Sequence, residues 1–572
     1  MNKIVQLIIA LLAITNTIFA QTEPNYLCFE VDEGTEISLV IPNSSSTNNE
    51  YFFKEDVDIK YSYDKEQWIP LTKNKTITIF NHCLIYFKGR NNCFYKIEDS
   101  KKYIVSFKVT KPFKCFGNIM TLIDEIGETT ELTEKYAFAY LFQSNPLITA
   151  PELPATTLTE HCYEGMFKRC YQLLKAPSLP ATTLADYCYL SMFYDCDKLM
   201  YPPELPAISL TLGCYENMFG SCQNLSIPPE LPATSLAEDC YAGMFANCDN
   251  LLITPELPAT ILAKGCYRSM FYHCDQLETT PLLPAKNWVK DSYTSMFYAC
   301  KNLKYTAPIY TQQGGGNTDN MFYMCSKLQY ISVRFVLWWG NGSKDWVKDV
   351  SPKGTFVCPD GLVEMHSESH IPKGWTVKRL SELTFYNINI PQETRNNIII
   401  PSTTDIEAST EMSFYVKDRT SEGYTIENVS VVGSGQNPIP LTNEGNIYKF
   451  TMPEEDVYIE VSYTSVSFSI TVDNYSSTDK TTANVGDVIN VTFKDRAGYN
   501  LTSATYNGTA LTITNNASQF TMPAANVTIS TTHTPIEYKI TAGELLQLIK
   551  QKQPSTTKYL LQLKTAQIMA TN

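Results

Sequence analysis

The strongest constraint on the fold is a phrase that recurs six times between Cys162 and Phe297, at a spacing of 26 residues. Five copies open on Cys-Tyr. All six continue with Met-Phe and close on a second cysteine, and Leu-Pro-Ala steps separate them. A fixed period of 20–50 residues is typical of repeat folds, in which each unit buries its apolar side chains only against its neighbours. The repeat therefore predicts a stacked scaffold that displays surface, and we expect no enzyme.

The residues that recur from copy to copy of the phrase predict the core of this scaffold. The first cysteine, the methionine and the second cysteine lie at i, i+4 and i+8, which predicts one face of a short helix. Cysteines at the two ends of such a helix are about 12 Å apart, whereas a disulfide needs Cα atoms within about 7 Å. We therefore interpret them as buried packing residues. The predicted core comprises Cys162, Met166, Phe167, Cys170, Cys188, Met192, Phe193, Cys196, Cys214, Met218, Phe219, Cys222, Cys240, Met244, Phe245, Cys248, Cys266, Met270, Phe271 and Cys274.

The other half of each copy predicts a very short strand, such as Met200-Tyr201, that ends at a proline. The fold class is then multidomain, mostly an α/β solenoid of the leucine-rich-repeat type plus all-β domains. Alternating apolar residues predict a β-domain before the solenoid, and a Trp-rich segment follows it. The predicted organisation is a signal peptide (1–20), an N-terminal β-domain (21–118), the solenoid (119–330) and its C-terminal cap (331–380).

A second internal repeat lies in the C-terminal third of the chain. Phe450-Thr-Met-Pro453 returns as Phe520-Thr-Met-Pro523, 70 residues later, within strand-like sequence. These segments predict two small modules, the first β-module (384–464) and the second β-module (465–536). Residues 537–572 carry two apolar clusters and predict a helical tail of unassigned role.

Composition limits the classes of partner. The formal net charge of the 572 residues is −14, without a basic run, which excludes nucleic acid as an expected partner. Lys3, an apolar run from Ile4 to Ile14 and a small residue at Ala20 predict a cleaved secretory signal. The run is too short for a membrane-spanning helix, so we expect no transmembrane segment. A secreted or cell-surface location follows, with the means of anchoring left open. Disulfides among Cys28, Cys83, Cys93 and Cys115 also stay open, because connectivity cannot be read from sequence.

The repeat phrase Leu-Pro-Ala-Thr-x-Leu with Cys-Tyr-x-x-Met-Phe-x-x-Cys-x-x-Leu resembles the BspA-like leucine-rich-repeat family of surface proteins. The resemblance covers about residues 137–330, with a longer period and extra prolines. The two Phe-Thr-Met-Pro modules resemble divergent internalin-type B-repeats. These resemblances imply adhesion to proteins or glycans on host or microbial surfaces, and they transfer no catalytic residue.

Ligand contacts are expected at positions that vary between copies. One column, 26 residues apart, contains Lys175, Tyr201, Ile227, Ile253, Thr279 and Tyr305. A second column, directly after Met-Phe, contains Lys168, Tyr194, Gly220, Ala246, Tyr272 and Tyr298, of which Tyr194, Tyr272 and Tyr298 are the candidates. Exposed tyrosine and isoleucine suit protein or glycan contact, although packing or a solvated rim explains the same pattern.

No cofactor or metal is expected. His366 and His370 lie near Cys358 and two glutamates, but in a polar segment that we interpret as a solvated loop. Three functions remain: a surface binding protein with the β-modules as a stalk, a structural spacer or matrix component without a specific ligand, and a carbohydrate-binding accessory protein.

Overall fold

A computed structural model describes residues 25–42, 51–310, 318–338 and 343–536. The predicted signal peptide, Gly314–Gly316 and the predicted helical tail lie outside the described residues. Within the described part, the chain divides into two compact units: residues 25–417 with 429–461, and residues 418–428 with 462–536. Among these residues no helix has the length and apolar character that crossing a membrane requires.

The N-terminal region is a β-domain, as the alternating pattern predicts. Its described strands are β1 (Leu27–Val31), β2 (Glu36–Val40), β3 (Tyr51–Phe53), β4 (Ile59–Ser62), β5 (Ile69–Pro70), β6 (Thr76–Thr78), β7 (Cys83–Gly89), β8 (Tyr95–Glu98), β9 (Lys101–Ile104), β10 (Ser106–Val109) and β11 (Phe113–Phe116). They form the sheets β10-β2-β6, β3-β9-β8 and β11-β1-β7-β4-β5, and the last is extended by β12 (Leu147–Thr149), which pairs parallel with β11. The parallel strand β12 joins this domain to the first repeats.

The predicted α/β solenoid is wrong. The chain is nearly all β, with 3% helix and 33% strand. The one α-helix among the described residues, α1 (Thr121–Asp124), lies outside the repeated phrase. Each phrase is instead a series of tight turns, because every fourth residue has a left-handed backbone. In the first copy these residues are His161, Gly165 and Arg169, with φ of 58°, 55° and 62°. An α-helix needs φ near −63° throughout, so this backbone cannot be helical.

Backbone hydrogen bonds hold the turns within a copy and also join neighbouring copies. The amides of Cys162 and Glu164 donate to carbonyls three residues earlier, whereas the amide of Tyr163 donates to the Cys188 carbonyl in the next copy, at 2.9 Å. The predicted strands shrink to single parallel bridges, for example Lys175 with Tyr201. We call this arrangement, over residues 119–330, the repeat stack. Hydrogen bonds that alternate between the same copy and the next copy satisfy the buried backbone amides and carbonyls without a regular helix or sheet.

All twenty predicted core side chains are fully buried in the repeat stack. The phenylalanines form one column of parallel rings with centroids 5.4–5.8 Å apart, from Phe142 to Phe322. Beside it, each second cysteine donates its thiol to the phenylalanine carbonyl of the preceding copy at 3.0–3.1 Å. In the atypical first copy, Asn145 stands in place of the second cysteine, and its side-chain amide donates to the Phe107 carbonyl at 2.7 Å. The second cysteine is therefore a packing residue and also a hydrogen-bond donor.

The Trp-rich cap continues the stacking. Trp346 is fully buried and follows Phe322 in the phenylalanine column. The strands β13 (Tyr330–Ser332), β14 (Thr355–Cys358) and β15 (Thr376–Arg379) pair in parallel, and the 3₁₀ helix η1 (Leu380–Glu382) follows. Parallel pairing thus continues into the cap, where the single bridges of the repeat stack lengthen into short strands.

The two C-terminal modules are all-β, as predicted. The first comprises β16 (Phe385–Tyr386), β17 (Ile388–Asn389), η2 (Arg395–Asn397), β18 (Ile398–Ile399), β19 (Ile406–Glu407), β20 (Glu411–Val416), η3 (Thr420–Glu422), β21 (Tyr424–Gly433), β22 (Thr442–Glu444), β23 (Ile447–Thr451) and β24 (Val457–Ser465). Its principal sheets are β18-β20-β23-β22 and β17-β24-β21.

The second module comprises β25 (Ser467–Val472), β26 (Ser476–Thr478), β27 (Thr482–Asn484), β28 (Val488–Phe493), β29 (Tyr499–Tyr506), β30 (Thr509–Ala510), β31 (Ala517–Thr521) and β32 (Val527–Pro535). Its sheets are β26-β28-β31 and β27-β25-β32-β29-β30, around a small core that includes Ile489, Val491 and Phe520.

Candidate functional site

The repeat stack places equivalent residues of successive copies directly above one another. Parallel bridges join Thr149, Lys175 and Tyr201 in series, and others join Thr279, Tyr305 and Tyr330. Because these bridges run at the spacing of the repeat, the first predicted column is a continuous line of side chains along one edge of the stack. The solvent exposure of each side chain in this line decides whether a partner can reach it.

Only the first two residues of the first column are open. Lys175 is exposed and Tyr201 is 56% exposed, whereas Ile253 is only 1% exposed. Ile227, Thr279 and Tyr305 are half-buried. Four of the six residues of this predicted binding column are therefore partly or fully covered.

The cover over the C-terminal half is the first β-module. Its cations pair with carboxylates of the stack: Lys417 with Glu230 at 2.8 Å, Lys449 with Glu278 at 3.1 Å, and Arg395 with Glu256. The interpretation of the first module as a stalk is not what the geometry shows, because its sheet packs against the stack. Sequence reasoning missed this contact, although Glu204, Glu230 and Glu256 recur at the repeat spacing.

Hydrogen bonds complete the seam between the stack and the first module. The Leu282 amide donates to the Pro401 carbonyl at 2.9 Å, and the Tyr330 hydroxyl donates to Glu407 at 2.9 Å. A cavity of about 40 Å³ lies here beside Thr279 and Tyr305. Since one water needs about 10–15 Å³ by this measure, the cavity holds only a few waters. Larger openings lie along the same seam: one of about 180 Å³ beside Glu256 and Arg395, and one of about 400 Å³ beside Glu278 and Lys449.

At the seam, burial and neighbouring cations shift the pKa of the glutamates in opposite directions. Burial acts to raise the pKa of Glu278, but the ammonium groups of Lys304 and Lys449 hold that pKa below its ordinary value. At Glu256 burial raises the pKa, and Arg395 offsets this only in part. The neighbouring cations thus outweigh the burial of ionised Glu278, whereas Arg395 does not fully offset the burial of ionised Glu256.

An apolar row borders the two open residues of the first column. Leu174 is 44% exposed and Met200 is 47% exposed, and the amides of Met200 and Tyr201 both bond to the Leu174 carbonyl. We call Leu174, Lys175, Met200 and Tyr201 the open strip. Sequence analysis named Lys175 and Tyr201 but missed Leu174 and Met200, which occupy the same turn position 26 residues apart.

The second predicted column is an aromatic ladder with its ring faces covered. Tyr272 and Tyr298 stack at 4.8 Å, and Tyr298 and Tyr323 stack at 5.0 Å. Tyr194 lies apart from them, with the Lys168 ammonium 4.9 Å from its ring centroid. Its other neighbour is Gly220, where an added Cβ would lie 2.9 Å from the ring. These half-buried tyrosines stack on one another or on flanking residues, so the column is chiefly a packing feature.

The cysteines are buried in the core or half-buried, and the two histidines singled out by the sequence make local contacts. All 17 cysteines are free thiols, and burial raises the pKa of Cys162, Cys170 and Cys248 to about 12, which keeps these thiols protonated. His366 contacts the Pro372 carbonyl, and His370 bonds to Ser367 within the same loop. Among the described residues, no group of three or more potential metal ligands comes together.

One comparison identifies part of this architecture. Residues 469–537 match the family model of the divergent InlB B-repeat domain, which covers the second β-module. Comparison with curated proteins and with solved structures gave no match. The B-repeat resemblance of the second module is thus confirmed, while the BspA-like resemblance of the repeat stack stays a prediction. B-repeat domains are typical of surface proteins, with which an extracellular location is consistent.

Proposed function

We propose that the chain is a secreted or cell-surface binding protein that attaches to a protein partner on host or microbial surfaces through the open strip of its repeat stack. The observation that supports this most directly is the cluster of three exposed side chains, Leu174, Met200 and Tyr201, on neighbouring copies of the stack. Tyrosine and methionine are enriched in interface cores, and tyrosine often dominates binding energy.

The rigidity of the stack supports the same proposal. Side chains on a scaffold that is already ordered lose little conformational freedom on binding, which favours affinity. Lys175 within the strip and Glu204, three residues after Tyr201, are both exposed. They would provide the polar rim that surrounds a buried contact. The proposal assigns the chain no catalytic role.

The test is binding of the labelled full-length chain to epithelial cells and to immobilised extracellular matrix. We expect the double variant Leu174→Ala with Tyr201→Ala to bind at least tenfold more weakly, because two central apolar contacts are lost. The matched control is Ile208→Ala with Ile261→Ala, since these residues are 68% and 62% exposed and lie outside the open strip. Unchanged binding by the strip variant, or equal loss in both variants, would contradict the proposal.

A further inference from the structure

The two β-modules have equivalent central strands. Lys417-Asp-Arg419 after β20 returns as Lys494-Asp-Arg496 after β28. The backbone repeats as well: the amides of Val416 and Phe493 donate to the carbonyls of Asn446 and Asn516, at 2.9 and 2.8 Å. Strands β20 and β23 of the first module therefore correspond to β28 and β31 of the second.

The modules differ at the outer edge of this sheet. In the first module β23 pairs on its far side with β22, in the register Thr442 with Lys449 and Glu444 with Ile447. In the second module β31 is the edge strand among the described residues. Only the pair Thr514 and Ala517 continues beyond it, with hydrogen bonds of 2.8 and 3.0 Å. The position that β22 fills in one module is thus open in the other.

The backbone of β31 is oriented to accept a strand at this edge. The carbonyl of Asn516 and the amide of Met522 bond toward β28 and its flank, while both backbone groups of Ala517 bond to Thr514 on the opposite side. Since backbone direction alternates along an antiparallel strand, the amides and carbonyls of Gln519 and Thr521 point to the open side. An unpaired edge of this kind is a template for a further strand.

A groove runs along this edge. It measures about 700 Å³ and is lined by residues that include Asn490, Tyr506, Thr512, Gln519 and Thr521. No residue lining it is acidic or basic, although the whole chain carries a net charge of −14. Amide and hydroxyl side chains both donate and accept hydrogen bonds, so this lining suits a neutral polar occupant.

We propose that the open edge of β31 binds an extended polypeptide segment of a partner protein, uncharged and rich in Ser, Thr and Asn. The segment adds as an antiparallel strand where the first module places its own β22. Backbone pairing supplies the affinity, and the uncharged groove selects against charged segments. This site belongs to the second module and is independent of the open strip.

The test uses the full-length chain and a fluorescent synthetic peptide that copies residues 439–446, which contain β22, with the substitution Glu444→Gln so that no side chain of the peptide is charged. We expect saturable binding by fluorescence anisotropy, with slower hydrogen exchange at residues 517–521. The variant Gln519→Pro removes one outward amide without removing a bond to β28, and should weaken binding at least tenfold. Gln519→Ala keeps that amide and should stay within twofold of the unmodified chain. A peptide N-methylated at alternate amides should fail to bind the unmodified chain, which tests the pairing even if the proline variant is unstable.

Several outcomes would overturn the proposal. One is the absence of saturable binding at millimolar peptide, and another is equal binding by the proline and alanine variants. Protection of residues 517–521 by N-acetylchitotriose but not by peptide would assign the groove to a saccharide. Concentration-dependent dimerisation abolished by Gln519→Pro would assign the edge to a second copy. Peptide binding that requires deletion of residues 537–572 would assign it to the chain's own C-terminal segment.

Discussion

The two β-modules share a framework but use the same sheet face differently. In the first module, one face of the sheet is turned toward the repeat stack. Three residues on that face are half-buried: Tyr415, Ile447 and Lys449. The equivalent positions in the second module are Thr492, Ala517 and Gln519, all exposed. The interior positions keep their character, for example Phe450 and Phe520, which are 3% and 7% exposed. The same small β-fold thus carries half-buried side chains on this face in one module and exposed side chains in the other.

The comparison also shows which interactions make the docked state. The three cations that meet the stack are Arg395, Lys417 and Lys449. Of their counterparts, only Lys494 remains a cation, because Asp473 and Gln519 stand in the other two positions. The corresponding face of the second module therefore lacks two of the three cations and the side chains equivalent to Tyr415 and Ile447. It cannot form the ion pairs and apolar contacts by which the first module docks on the stack.

The largest expected effect tests whether the two modules unfold separately. Phe450→Ala and Phe520→Ala remove equivalent buried rings and should each destabilise the surrounding core by about 3–5 kcal/mol. Calorimetry of the full chain should show two transitions. Phe450→Ala should lower the transition of the larger unit, and Phe520→Ala only that of the smaller unit. If both variants lowered the same transition, the division into two units would be wrong.

A smaller effect tests the charge contribution to docking. Lys449→Glu places a carboxylate beside Glu278 and should weaken docking of the first module by about 1 kcal/mol, since the pair is partly exposed. Hydrogen exchange at residues 279–306 should become faster. The control is Gln519→Glu, the same charge at the equivalent position of the second module, which should leave those residues unchanged. No difference between the two variants would show that the pair of Lys449 and Glu278 does not hold the seam.

The smallest effect is a pH dependence. The pKa of Glu278 is depressed in the folded chain, so its contribution is present above the ordinary carboxyl pKa and is lost as the pH falls through the folded value. Exchange at residues 279–306 should therefore accelerate below about pH 4.5. Glu278→Gln should reduce this dependence. Glu256→Gln should increase it, because the pKa of Glu256 is raised and its protonation favours the folded state. A steeper acid dependence in Glu278→Gln would contradict this assignment.

Sequence predicted the repeat register and its core because burial of Cys, Met and Phe forces the same residue types into every copy. It mistook turns for a helix because both place every fourth residue on one side. The distinguishing signal was present: Gly213, Asn217, Asp239, Gly243 and Gly265 occupy the left-handed positions. Glycine, asparagine and aspartate tolerate this backbone better than other residues.

Accessibility of the candidate site could not be predicted in the same way. Tyr201 and Tyr305 occupy equivalent positions of the repeat, yet the first is exposed and the second lies beneath a module that begins some 80 residues later in the chain. Whether such a position is covered depends on long-range docking, which leaves no local pattern. The paired cations Arg395, Lys417 and Lys449 are likewise far apart in sequence and show no common period.

The ion pairs of the first module also fix the number of repeat copies that the module spans. They contact Glu230, Glu256 and Glu278, and a further bond reaches Tyr330, so the module spans a fixed number of copies. Loss or duplication of a 26-residue copy between Lys175 and Glu230 leaves this span intact, because backbone hydrogen bonds there join each copy to the neighbouring copies. The same event between Glu230 and Tyr330 puts the cations out of register. In evolution, the stack is therefore free to change its length at the end that bears the open strip and is held constant at the other.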